Sequence, residues 1–130
     1  MASNLEKLRG GYDAYNAGDH TVVLSLFAPD IRWEVPPFGP DAQAVWLGPE
    51  EVGRFFREFV APTIPDHRVE PESYHEVGEH IVAFGRHVGT AAPTGKPIDM
   101  PFAHVWTFRD GQVTRFYEVV DMQGFVGAMT

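Results

Sequence analysis

Among the ionisable side chains of this 130-residue chain, His104 and Glu118 are spaced so that both can act inside the molecule. They belong to the segment MPFAHVWTFRDGQVTRFYEVVD, residues 100–121, which reads as two amphipathic strands joined at an Asp-Gly turn. Alternation puts Phe102, His104, Trp106 and Phe108 on one side of the first strand and Ala103, Val105 and Thr107 on the other. A loop of Arg109, Asp110 and Gly111, with Gly111 left-handed, brings Phe116, Glu118 and Val120 of the second strand to the aromatic side. A two-residue loop would put Arg115, Tyr117, Val119 and Asp121 there, a set unsuited to burial beside Trp106. The even register therefore sets an imidazole and a carboxylate diagonally opposed across an aromatic wall. A carboxyl facing aromatics is desolvated, which predicts a pKa raised towards neutrality and a group able to move a proton at carbon or oxygen of an apolar substrate, tuned by the neighbouring His104. The same pair could also be a satisfied polar contact in a core.

Other chemistries find little support. The chain has no Cys, which excludes thiolate catalysis, disulfides and Cys-ligated metals. His75, Glu76, Glu79 and His80 cluster at a strand turn but follow no metal-ligand spacing, so no metal is expected, and proton transfer next to a carbonyl needs no cofactor. No phosphate-binding glycine loop, nucleophile elbow or dinucleotide fingerprint occurs. A formal charge of -8, with 10 Lys and Arg against 18 Asp and Glu, argues against nucleic acid as a partner. The N-terminus lacks the pattern of a secretory signal and no apolar run approaches the ~20 residues of a membrane span. The expectation is a cytoplasmic protein that binds neither membrane nor nucleic acid.

Helices come first along the chain. Ser3 and Glu6 form a capping box, followed by Leu5, Leu8, Tyr12 and Tyr15 at helical spacing up to Asn16-Ala17-Gly18. A short helix is predicted from His20 to Ala28, a strand from Ile31 to Val35, and a long loop from Pro36 to Gly48 whose Trp46 and Leu47 suit a lid. Pro49 opens a third helix with Val52, Phe55, Phe56 and Phe59 on one face, and a linker is expected over Ala61 to Pro65. Strands follow near His67–Val77, Ile81–Ala91, Ile98–Arg109 and Gln112–Asp121. Helices followed by antiparallel strands indicate one α+β domain over residues 1–130, three N-terminal helices packed on a curved sheet.

This order, with YDAYNAGD, FAPDIRWEVP, GPEEVGRFF and GKPIDMPFAHVWTFRDGQVTRFYEVVD, resembles the nuclear-transport-factor-2-like cone fold and, more narrowly, the SnoaL-like group of polyketide cyclases and ketosteroid-isomerase relatives. The resemblance implies a cone-shaped roll, a homodimer and a pocket between helices and sheet. Polyketide cyclases of this kind use a carboxylate on the last strand near a His on the preceding one, matching Glu118 and His104, with Glu in place of Asp. The position of the ketosteroid isomerase base falls on Val35, with Glu34 turned to the other side. Limonene-epoxide hydrolases would match Arg86 and Glu118 but meet Val88 where their middle acid stands.

Two functions follow. The first is an acid/base enzyme, of isomerase, cyclase or lyase type, for a small apolar, cyclic or polyketide-like molecule. Glu118 and His104 would be catalytic, with Tyr12, Trp33, Trp46, Phe55, Phe59, Arg86, Phe102, Trp106 and Phe116 around the substrate. The second is a ligand-binding module using the same pocket without turnover. On the opposite sheet face, Ala103, Val105 and Thr107 are expected to be covered by a second copy of the chain.

Overall fold

A computed structural model describes residues 2–37 and 43–130. Helix α1, Asn4–Asn16, starts where expected: the Glu6 backbone N–H donates to Ser3 Oγ at 3.1 Å and the Ser3 N–H donates back to Glu6 Oε1 at 3.4 Å. Leu8, Gly11, Tyr12 and Tyr15 form its buried face. Helix α2 is only Thr21–Ser25, shorter than the predicted His20–Ala28, because Phe27 and Ala28 already belong to strand β1, Phe27–Glu34. The sheet captures them: Phe27 pairs with Val113, whose N–H donates to the Leu26 carbonyl at 2.8 Å.

The predicted long loop holds a further element. Strand β2, Val45–Leu47, pairs antiparallel with β1, Trp46 opposite Trp33. Residues 38–42 of that loop lie outside the described residues. Helix α3, Gly48–Phe55, carries Pro49 in its first turn, where the missing N–H costs nothing. The helical path then continues through a π-helical turn, Phe56–Val60, and a last turn, Ala61–Thr63, where a linker was expected. Pro62 is the second residue of that last turn, directly after the π-helical one.

Strands β3 (Arg68–Val77), β4 (His80–Thr90), β5 (Pro97–Arg109) and β6 (Gln112–Val120) complete an open six-stranded sheet ordered β2-β1-β6-β5-β4-β3. All pairings are antiparallel except β1 with β6. A C-terminal helix, α4 (Met122–Met129), was not foreseen; Asp121 caps it by accepting from the Gln123 N–H at 3.0 Å, and Phe125 and Ala128 pack with Ile64, Ile98 and Met100. The architecture is the expected α+β roll, with helices over one face of a mostly antiparallel sheet.

The β5–β6 hairpin reaches the even register by a different route from the one expected. Its turn has two residues, Asp110 (φ 52°) and Gly111 (φ 77°), between the paired Arg109 and Gln112. Both are left-handed, as a tight primed turn requires. Phe108 opposes Val113 but Thr107 opposes Arg115, so Thr114 is an extra residue in β6. This bulge shifts the register by one and returns Phe116, Glu118 and Val120 to the inner face. His104 and Glu118 are consequently direct cross-strand partners rather than diagonal ones.

Candidate functional site

The concave side of the sheet and the overlying helices enclose a cavity of about 300 Å³. Of the residues expected around a substrate, Tyr12, Trp33, Phe55, Phe59, Trp106 and Phe116 line it, together with His104 and Glu118. Three others do not. Trp46 is 2 % exposed and packs behind the cavity wall against Phe55 and Phe59, because β2 ties it into the sheet. Phe102 is buried beneath the site, stacked on the His104 ring at 3.6 Å between centroids. Arg86 points from the outer face of β4 and pairs with Asp99 at 2.6 Å, so it is no ligand clamp. Glu34 is likewise engaged outside the cavity, accepting from Arg32 and Arg115 at 2.8 Å each.

Two histidines missed in the sequence stand in the wall, His67 ahead of β3 and His87 on β4, with Tyr15 beside them. Alternation along β4 from Ile81 through Ala83 and Gly85 points to His87, and that signal was available in the sequence. His67 precedes its strand and carried no such signal.

These side chains form one hydrogen-bonded chain. Trp106 Nε1 donates to the Tyr12 hydroxyl at 2.8 Å, and that hydroxyl lies 2.8 Å from His104 Nδ1. His104 Nε2 is 2.6 Å from Glu118 Oε2. From the other side, the Tyr15 hydroxyl is 2.7 Å from His67 Nδ1, His67 Nε2 is 2.9 Å from His87 Nδ1, and His87 Nε2 is 2.5 Å from the same Glu118 Oε2. Glu118 Oε1 has no hydrogen-bond partner among the described residues.

Proton positions follow from the partners. With Glu118 ionised, both imidazoles must present Nε2–H to it. Neutral rings then accept at Nδ1, so Tyr12 donates to His104, His67 donates to His87, and Tyr15 donates to His67. Every donor points towards one carboxylate. The electrostatics agree. Burial pushes the His104 imidazole down to about 4, although its bond to Glu118 opposes the shift. Burial, reinforced by His87, pushes His67 down to about 3. Burial also pushes the Tyr12 and Tyr15 hydroxyls up, keeping them as donors.

For Glu118 burial favours the neutral acid, but His87 and His104, through their charge and their hydrogen bonds, outweigh it and hold the carboxyl below the ordinary range. This reverses the expectation of a carboxyl raised towards neutrality: two N–H donors stabilise the anion more than the aromatic wall destabilises it. His87, His104 and Glu118 are also the one set of three or more His, Cys, Asp or Glu placed to hold a metal ion among the described residues.

A helical layer on an open, mostly antiparallel six-stranded sheet is the fold shared with solved NTF2-like proteins. Residues 8–116 match the model of the SnoaL-like domain, and the chain belongs to that family. It is similar over its full length to an NTF2-like protein of unknown function from Burkholderia pseudomallei, with 31% identity, 99% of that chain covered and a TM-score of 0.88. It is also similar to TerC, solved in the presence of polyporic acid, at 27% identity over 97% of each chain and a TM-score of 0.86. IdmH of Streptomyces antibioticus, described as a candidate polyketide cyclase, shares the fold at 20% identity over 98% of this chain and 99% of its own, with a TM-score of 0.81. No curated protein gives a significant match. No helix among the described residues is long and apolar enough to cross a membrane.

Proposed function

We propose that the chain is a SnoaL-like enzyme performing acid/base chemistry on a small, mostly apolar, cyclic or polyketide-like molecule, with Glu118 as the base. One observation carries this reading: Glu118 lines an aromatic cavity with Oε2 fixed by two imidazole N–H groups and Oε1 unpartnered. A carboxylate held low is a weak base, so its substrate must offer an already acidic proton. The carbon between two carbonyls and an enol or phenol hydroxyl qualify, and polyketide-like rings carry both. Ligand binding would expel water from the cavity and strengthen Oε1 as an acceptor. The proton taken up can return to another atom of the same molecule, giving isomerisation or ring closure, or leave with a hydroxyl. The imidazole N–H groups of His104 and His87 steady the carboxylate through the cycle.

The test is Glu118→Gln in metal-free protein, assayed with cyclic β-dicarbonyl and hydroxyquinone compounds. The amide keeps the volume and an acceptor for the imidazoles but cannot take a proton. Turnover falls ~100-fold or more while ligand still binds. If no compound turns over and binding of the best ligand is the same in both proteins, the chain is instead the non-catalytic binding module.

The same reading includes residues 1–130 acting as one domain, a cytoplasmic site of action and a homodimer. Support for the dimer is an apolar outer sheet face: Phe84, Tyr117 and Val119 are exposed there around the half-buried Ala103 and Val105.

A further inference from the structure

We propose that His87, His104 and Glu118 also form a site for a divalent first-row transition-metal ion, of the two-imidazole, one-carboxylate type. The three residues come from the adjacent strands β4, β5 and β6, and their ligand atoms all lie within 4.8 Å of one another. Two imidazoles and a carboxylate suit ions such as iron(II), cobalt(II), nickel(II) and zinc(II). Three protein ligands on the wall of a cavity leave coordination positions open for a small molecule, the pattern of a reactive rather than a structural site.

The surroundings also fit. A metal-bound imidazole needs a partner for its far nitrogen, which fixes the ring. His104 Nδ1 has the Tyr12 hydroxyl at 2.8 Å and His87 Nδ1 has His67 Nε2 at 2.9 Å. Phe102, stacked under His104 and 4.8 Å from the His87 ring centre, holds both rings from below. By contrast His75, Glu76, Glu79 and His80 are all exposed and form no ligand group among the described residues.

Entry of the ion is proton-balanced. Each ligating imidazole gives up its Nε2 proton and gains one at Nδ1. His104 then donates to the Tyr12 oxygen, His87 donates to His67 Nε2, and His67 shifts its own proton to Nδ1 and donates to Tyr15. The hydrogen-bonded chain reverses direction without net loss of a proton. The Nε2 to Oε2 separations, 2.6 and 2.5 Å, must open to about 3.0 Å for octahedral or about 3.4 Å for tetrahedral coordination, the edges set by metal–ligand bonds of ~2.1 Å.

The inference goes beyond the acid/base reading and does not depend on it. Protein stripped with chelator is titrated with cobalt(II) and followed by visible absorption. The expected result is one equivalent bound with d–d bands of a low-symmetry site. Glu118→Gln and His87→Ala should each weaken binding at least ~10-fold, with folding checked by circular dichroism. The His75→Ala, His80→Ala double variant should leave it unchanged. Calorimetry in two buffers of different ionisation heat should show no net proton release. Absence of a stoichiometric cobalt(II) spectrum, or a spectrum that persists in both site variants or is lost with His75 and His80, overturns the proposal. Should the native residues fail to hold one equivalent, the Glu118→Gln turnover assay in chelator still stands or falls by itself.

Discussion

His87 on β4 and Glu118 on β6 are joined by a 2.5 Å hydrogen bond that crosses above the intervening strand β5. On β5 itself His104 donates to the same oxygen, so three adjacent strands converge on one carboxylate. The consequence is an anion buried in an aromatic cavity yet held below its ordinary pKa. That combination limits both the stability profile of the protein and the protons it can remove.

Stability should fall on acidification well before ordinary carboxylates titrate. His104 has an ordinary value of 6.5 and a folded value of about 4, so the unfolded chain binds the extra proton between these limits. Its contribution is complete above about pH 6.5 and declines as pH falls to about 4, by roughly 3 kcal/mol. His67, lowered from 6.5 to about 3, adds a parallel loss that begins in the same range and continues further down. Glu118, whose folded pKa is lowered from 4.5, adds a loss that begins only below that value. Thermal unfolding of metal-free protein from pH 8 to 4 checks this; a Tm flat between pH 7 and 4 contradicts it.

Tyr12→Phe removes the hydroxyl that accepts from Trp106 and donates to His104. Both partners are buried, and each is left without its hydrogen bond. The expected cost is about 2 kcal/mol or more, read as a lower urea midpoint at unchanged slope. Full retention of the midpoint would show that the chain contributes nothing there.

Gly85→Ala should be among the costlier single changes. A Cβ at this position would stand 2.3 Å from the Glu70 carbonyl oxygen, 2.7 Å from Pro71 Cα and 2.8 Å from Phe102 Cζ. Two of these are backbone atoms of β3, beside the irregularity between Pro71 and Ser73, and cannot rotate away. The third supports His104. A loss of about 3 kcal/mol is expected, together with a disturbed near-ultraviolet spectrum from the aromatic wall.

For the outer face, Phe84→Lys with Val119→Lys places two charges at positions 47% and 55% exposed, where the isolated chain loses little. Light scattering should report twice the 14.5 kDa formula mass for the native protein and that mass for the variant. Native protein of single-chain mass at micromolar concentration would remove the dimer.

Local periodicity carried much of this protein. Alternation along residues 102–108 was enough to turn His104 inward, because side chains on a strand change face at every residue. The capping box set the start of α1, since its two hydrogen bonds lie within four residues. What depended on distant partners was less legible. The bulge at Thr114 compensates a turn one residue shorter than expected, and only cross-strand pairing shows it. Trp46 reads as a lid residue until β1 captures it as a sheet neighbour of Trp33. Arg86 reads as a clamp until its pairing with Asp99 puts it on the outer face. His67 joins the site because the end of the α3 helical path delivers it beside β4, 20 residues away in sequence. The direction of the Glu118 pKa turned on the same point. The sequence determined that a carboxyl faces aromatic rings, which predicts desolvation; only the tertiary structure decided that two imidazole donors, one reaching over a neighbouring strand, would reverse it.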